Sequence, residues 1–79
     1  MRRIEVDSYS GHKGEEKPLS FILEGKRLRV TEILENRLVE DSLTRERRRV
    51  FRVKAEDGNV YSLVYVEVQE EWILNDARR

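Results

Sequence analysis

The tetrapeptide Glu56-Asp57-Gly58-Asn59 stands between two runs of β-branched and aromatic residues, Val50-Phe51-Arg52-Val53-Lys54-Ala55 and Val60-Tyr61-Ser62-Leu63-Val64-Tyr65. Asp-Gly supplies the positive backbone dihedrals of a tight type I′ turn, whose twist matches that of the strands it joins. The pattern predicts a β-hairpin, and in a chain of 79 residues one such hairpin makes an all-β fold the economical reading. Its register follows from the alternation. Phe51, Val53 and Ala55 share a face with Tyr61, Leu63 and Tyr65, whereas Val50, Arg52 and Lys54 share the other with Val60, Ser62 and Val64.

Further strands can be read on either side. Arg3-Ile4-Glu5-Val6-Asp7 alternates and suits a first edge strand. Residues 8–18 are polar, with two glycines and the only proline, and read as a loop. Leu19, Phe21 and Leu23 then alternate with Ser20, Ile22 and Glu24, and Pro18 at the strand's start does no harm. Glu24-Gly25-Lys26-Arg27 is a second hairpin turn leading to Leu28-Arg29-Val30-Thr31. Glu71-Trp72-Ile73-Leu74 is the last strand, and residues 75–79 are expected to fray.

The stretch 30–43 supports two readings. Val30, Ile33, Leu34 and Leu38 recur at helical spacing, with Glu32, Glu35, Asn36, Arg37, Glu40 and Asp41 on the opposite side, as in a short amphipathic helix. Alternatively the strand from Leu28 continues through Ile33, with a β-bulge where the alternation slips. The second reading is preferred. The expected architecture is a small antiparallel meander of about five strands curled into a roll or SH3-like barrel, with a short helix near 31–43 as the alternative. Curling removes exposed edges. Leu19, Phe21, Leu23, Leu28 and Val30 would face the hairpin's apolar side, closed by Trp72 and Leu74.

A chain of this length makes one domain, and a small domain has a narrow stability margin. Charged residues make up 41% of the chain and apolar ones 38%, a balance that in some proteins favours disorder. Here sixteen basic residues offset sixteen acidic ones and the apolar residues are patterned, which argues for folding. There is no cysteine, so disulfides, thiolate metal sites and thiol nucleophiles are excluded. The charged N-terminal residues do not resemble a signal peptide, and no apolar run approaches the ~20 residues that span a bilayer. A cytoplasmic setting is expected.

Several motifs stand in the order found in a small bacterial cytoplasmic family of unknown function. They are Tyr9-Ser10-Gly11, Glu16-Lys17-Pro18, Phe21 with Gly25, Phe51-Arg52-Val53, Asp57-Gly58, Tyr61-Ser62-Leu63 and Glu71-Trp72-Ile73-Leu74. The chain resembles that family from Ile4 to Leu74. The resemblance implies a β-rich domain, found alone or appended to larger proteins that include DNA-repair polymerases, and it carries no catalytic residue. Two departures stand out. Leu38 occupies a place where the family pattern has an aromatic, often Trp, and residues 43–49 are longer and more basic.

The candidate chemistry is sparse. Arg45, Arg47, Arg48, Arg49, Arg52 and Lys54 set six cations within ten residues, interrupted by Glu46 alone among acids. Such a cluster suits a nucleic-acid backbone, since each neutralised phosphate releases counterions. It suits equally a solvated face whose arginines pair with the acidic stretch 56–71, which contains Glu56, Asp57, Glu67, Glu70 and Glu71 and no base. Gly11-His12-Lys13-Gly14 has the G-x-x-G spacing of an RNA clamp, but its flanks are not helical and two glutamates follow, so a turn is preferred. His12, the only histidine, has no companion for a metal site or a nucleophilic triad. Glu15-Glu16, Glu40-Asp41 and Glu70-Glu71 are adjacent carboxylates, which on strands point to opposite faces. The aromatics Tyr9, Phe21, Phe51, Tyr61, Tyr65 and Trp72 suit a core better than a stacking platform.

The functional expectation is therefore a non-enzymatic interaction or structural module, binding a protein partner or a neighbouring domain, as a monomer or weak dimer. No catalytic, cofactor or metal site is expected, nor a membrane partner. The alternative is nucleic-acid binding through Arg45, Arg47, Arg48, Arg49, Arg52 and Lys54.

Overall fold

A computed structural model describes the backbone of residues 2–12 and 15–75, and all side chains among them except those of residues 9–12, 15 and 16. The chain is all-β. It forms β1 (Arg2–Arg3), β2 (Glu5–His12), β3 (Glu15–Leu23), β4 (Lys26–Glu40), β5 (Arg47–Ala55), β6 (Val60–Val66) and β7 (Glu71–Asn75). All pairings are antiparallel, in the order β1-β7-β6-β5-β4-β3-β2. Because β1 and β2 are consecutive and separated only by Ile4, this order describes a sheet that nearly closes on itself. One bent segment pairs with β7 through Arg2 and Arg3 and with β3 from Glu5 onward. At the bend, Ile4 N–H donates to the Trp72 carbonyl at 3.0 Å. A small barrel is the result.

The central hairpin has the register that alternation dictates. Phe51 lies opposite Leu63 and Val53 opposite Tyr61, while Arg52 faces Ser62 and Lys54 faces Val60. Its turn differs from expectation. Only Gly58 has a positive φ, +86°, and Ala55 pairs with Asn59 while Gly58 N–H donates to the Ala55 carbonyl. This is a three-residue loop, a type I turn closed by a left-handed glycine, rather than a two-residue type I′ turn. The type I′ geometry occurs instead at Glu24-Gly25, where both φ values are positive, 52° and 78°, and Leu23 pairs directly with Lys26.

The bulged strand preferred from Leu28 through Ile33 is present and runs further, to Glu40; the loop reading of 8–18 is corrected. No helix forms over 31–43, because β4 runs as a single strand to Glu40. Its ladder with β5 slips between Val30 and Glu32 and again between Ile33 and Glu35. Each bulge adds one residue to the spacing of inward positions, so Val30, Ile33 and Asn36 recur every third residue while opposing Ala55, Val53 and Phe51. Two bulges in succession thus imitate helical periodicity. Residues 8–18 are not a loop either. β2 and β3 pair from Glu5 opposite Ile22 to His12 opposite Glu15; Lys13 and Gly14 of the G-x-x-G motif lie outside the described residues. Asn75, expected to fray, pairs with Ser62, and residues 76–79 lie outside the description.

The core comprises Phe21, Leu28, Phe51, Val53, Ala55, Leu63, Trp72 and Leu74, with Ile4, Val6, Leu23, Val30, Tyr61 and Tyr65 packed around it. Trp72 lies against Phe51 and Tyr65, with ring centroids 5.6 and 5.0 Å apart, and Tyr61 meets Phe21 edge-on at 5.0 Å. Leu19 was expected inside but is half exposed. The ladder passes from Asp7 opposite Ser20 to Ser8 opposite Pro18, leaving Leu19 as the extra residue of a bulge. Pro18 is fully buried in its place; on the other face Ser20 is buried too, its Oγ accepting a hydrogen bond from the Arg27 guanidinium at 3.0 Å.

Candidate functional site

The length of β4 decides where function can lie. β3 pairs with β4 only over Lys26 to Arg29, yet β4 continues for eleven residues, 30–40, against β5. Beyond Val30 the sheet divides. Residues 31–40, the loop 41–46 and residues 47–50 project as an arm, held on one side by the pairing of β5 with β6. Among the described residues, no strand pairs with the other edge of residues 31–40. The expectation that curling would remove edges holds for the barrel but fails here.

The arm is apolar as well as open. Ile33, Leu34, Leu38 and Val39 each keep more than a third of their surface in water, and Leu43 at the tip keeps 91%. Leu38 lies opposite Arg49 and Val39 opposite Arg48, so β5 gives them basic stems rather than apolar partners. The tip is ordered by Asp41. Its carboxylate accepts from the backbone N–H groups of Leu43 (2.8 Å) and Thr44 (3.2 Å). Its main chain exchanges hydrogen bonds with Arg45 and Glu46. Those two amide donors, aided by Arg48, hold the Asp41 carboxyl below its usual range. Arg45 takes a φ of 65° to close the loop.

The structure does not gather the six predicted cations on one face. Alternation along β5 sets Arg48, Arg52 and Lys54 on the outer side and Arg47 and Arg49 on the side of Phe51, with Arg45 in the loop. Carboxylates interleave with them. Arg48 meets Glu46 at 3.6 Å, Arg52 meets Glu35 at 3.6 Å, and Arg47 meets Glu67 at 3.9 Å. Most of these partners come from the arm itself, and only Glu67 comes from the acidic stretch 56–71; Glu71 pairs with Arg3. Arg49 differs from the others. It is partly buried opposite Leu38 and Tyr65, and its Nε is buried without a hydrogen-bond partner.

Elsewhere the surface offers little chemistry. Two shallow grooves of about 300 and 420 Å³ flank Arg27, whose guanidinium already reaches Ser20 and, at 3.9 Å, Asp7. Among the described residues, no group of three or more His, Asp or Glu could hold a metal ion. Nor, among those residues, is any helix long and apolar enough to cross a membrane. The side chains of His12, Glu15 and Glu16 lie outside the description, and Glu40 and Asp41 are exposed at the arm's end. Phe21, Phe51 and Trp72 are buried and Tyr61 and Tyr65 half-buried, so these aromatics serve the core; the Tyr9 side chain lies outside the described residues.

Sequence reasoning saw Ile33, Leu34 and Leu38 but assigned them to a face awaiting burial. A usable signal was present. Towards the tip Leu38 and Val39 lie opposite Arg49 and Arg48, and apolar residues matched to arginines have little to pack against. Searches of protein-family models, curated proteins and solved structures find no match to this chain.

Proposed function

We propose that this domain is a cytoplasmic, non-enzymatic interaction module that binds a protein partner, or a neighbouring domain, along its β4–β5 arm. The observation that carries the reading is the coincidence of an unpaired strand edge with four partly exposed apolar side chains on the same strand. Unpaired N–H and C=O groups along an edge are a template for an added strand, and natural proteins normally blunt such edges. Contiguous exposed apolar surface in a small protein marks an interaction site. The interleaved ion pairs favour a protein over a nucleic-acid backbone, because each cation on Arg47, Arg48 and Arg52 already has a carboxylate neighbour. A module of this kind is also what the ordered turn and aromatic motifs resemble.

The test places a photo-crosslinking residue at Val39 or Leu43 and, as a control, at Val60, an exposed valine on the outer face of the barrel. Defined adducts from the arm positions and none from Val60 are expected. Adducts that are absent, or equal at all three positions, would overturn the reading. Titration with labelled oligonucleotides in low salt tests the alternative; salt-dependent binding lost on changing Arg45 and Arg48 to Ala would replace the proposal with it.

A further inference from the structure

We infer that the occupant of the open β4 edge is a second copy of this chain, laid antiparallel about a two-fold axis through Asn36. This rests on reading the arm as a protein-docking surface and names its partner. A two-fold contact requires a self-complementary patch, in which the residue n places before the axis suits the residue n places after it. The sequence Leu34-Glu35-Asn36-Arg37-Leu38 meets that requirement. In such a pairing Glu35 lies opposite Arg37 of the second copy, and Arg37 opposite its Glu35. Leu34 meets Leu38, and the two Asn36 amides face each other, able to donate and accept in turn; beyond Leu34 the bulge turns Ile33 to the opposite face from Val39, and the match ends there.

The geometry agrees with the pattern. Glu35 and Arg37 share the outer face of β4, their side chains already 2.9 Å apart within one chain, so a second copy extends that pair into a four-charge network. Leu34 stands out of the β5 ladder at the bulge, where it meets Leu38 of the second copy. Beyond this segment Glu32 and Glu40 lie on opposite faces of the strand. Each of those carboxylates faces a cation on its own β5, Lys54 and Arg47 respectively, and each lies at the solvent-exposed end of the contact. A neighbouring register fares worse: an axis through Arg37 sets two arginines against each other and Asn36 against Leu38. A strand-to-strand contact of this length falls below the ~1,200 Å² of stable complexes, so the dimer is weak, with a Kd between about 10 μM and 1 mM.

The absence of cysteine makes the test direct. Residues opposite each other in an antiparallel pair have Cα atoms about 4.5–5.5 Å apart, within the roughly 4.4–6.8 Å a disulfide spans. In this dimer only position 36 faces its own copy. Asn36→Cys is therefore expected to give a disulfide-linked dimer under mild oxidation at least tenfold faster than Glu32→Cys or Val39→Cys, whose symmetry mates lie several residues away. Sedimentation of the unmodified chain is expected to show a concentration-dependent monomer–dimer equilibrium. Arg37→Glu weakens it at least tenfold, and Glu35→Arg/Arg37→Glu together recover it, with circular dichroism confirming the fold of each variant. Equal cross-linking at all three positions, or a strict monomer at 1 mM, overturns the inference. If the arm nevertheless captures another protein at Val39 or Leu43, only the identity of the occupant is lost. If it captures nothing, the docking proposal fails with it.

Discussion

β5 runs through two environments without interruption. In its second half Phe51, Val53 and Ala55 are 0–1% exposed, because β3, β6 and β7 close over them. In its first half Arg47 and Arg48 are exposed, and Arg49 and Val50 half-buried, because β4 and β6 flank the strand but, among the described residues, no element covers it. Both halves have the same backbone ladder. The comparison shows that hydrogen bonding extends a sheet, while burial depends on a second layer. The arm is therefore a sheet without a core, and its apolar residues face water or a partner.

The contrast can be tested by substitution, beginning where the effect is greatest. Phe51→Ala removes a buried ring packed on Trp72 and is expected to cost about 3–5 kcal/mol, enough to unfold much of a domain this small; urea or thermal unfolding will measure it. Equal stability in Phe51→Ala and Leu38→Ala would erase the distinction between barrel and arm. Gly58→Ala comes next. A Cβ there meets nothing within 4 Å, so the cost is conformational alone, about 1–2 kcal/mol for a left-handed non-glycine residue.

Tyr61→Phe sharpens the comparison at the barrel's hairpin. The Tyr61 hydroxyl donates to the Asp57 carboxylate at 2.7 Å, and losing that bond should cost about 1 kcal/mol. The bond also has a pH signature. The Tyr61 hydroxyl, then the Asn59 backbone N–H, lower the Asp57 carboxyl below its ordinary 3.8, so its contribution is present above that pH and lost as pH falls through the depressed value. Burial, reinforced by Asp57, raises the Tyr61 phenol above 10.0, so its contribution is present below pH 10 and lost as pH climbs through the raised value. Asp41 at the arm's tip is depressed in the same direction as Asp57. Asp57→Asn and Asp41→Asn should each differ from the parent in unfolding experiments at pH 7 and converge on it as pH falls through the depressed values. A gap that persists in acid would contradict both.

The smallest effect is expected in the arm. Leu38→Ala, measured on dilute protein, should change stability by less than about 0.5 kcal/mol. Amides of residues 31–40 on the open edge should exchange with solvent well before those of residues 51–55. Slow exchange there at high dilution would mean that the edge is covered from within.

The barrel was readable in the sequence because its signals are local and agree. Phe51, Val53, Tyr61 and Leu63 alternate, Asp57-Gly58 marks the turn, and the register follows. Trp72 and Leu74 were correctly placed inside for the same reason. Ambiguity and error arose where a local signal had two causes. Two successive bulges gave Val30 and Ile33 a spacing that a helix also produces. Gly11 and Pro18 suggested a loop, although a long hairpin accommodates proline opposite Ser8 at a bulge. The arm was invisible for a different reason. Alternation in 30–40 declares which side of a strand is apolar but not whether anything lies upon it. That depends on where β3 leaves β4, between Arg29 and Val30, and no residue there announces the parting. The nucleic-acid alternative took the cation cluster as one patch, whereas a strand deals successive side chains to opposite sides.

The bend at Ile4 governs the order in which the molecule can be built. Arg2 and Arg3 find their partners at Leu74 and Ile73, so the ring of strands shuts only after some seventy intervening residues have been laid down. Hairpins such as β5–β6 can assemble early, but the final clasp is among the most distant contacts the chain makes, and folds dominated by such contacts form slowly. Until that clasp engages, β7 offers a second raw margin to its surroundings, which makes a nascent or truncated chain stickier than the finished one.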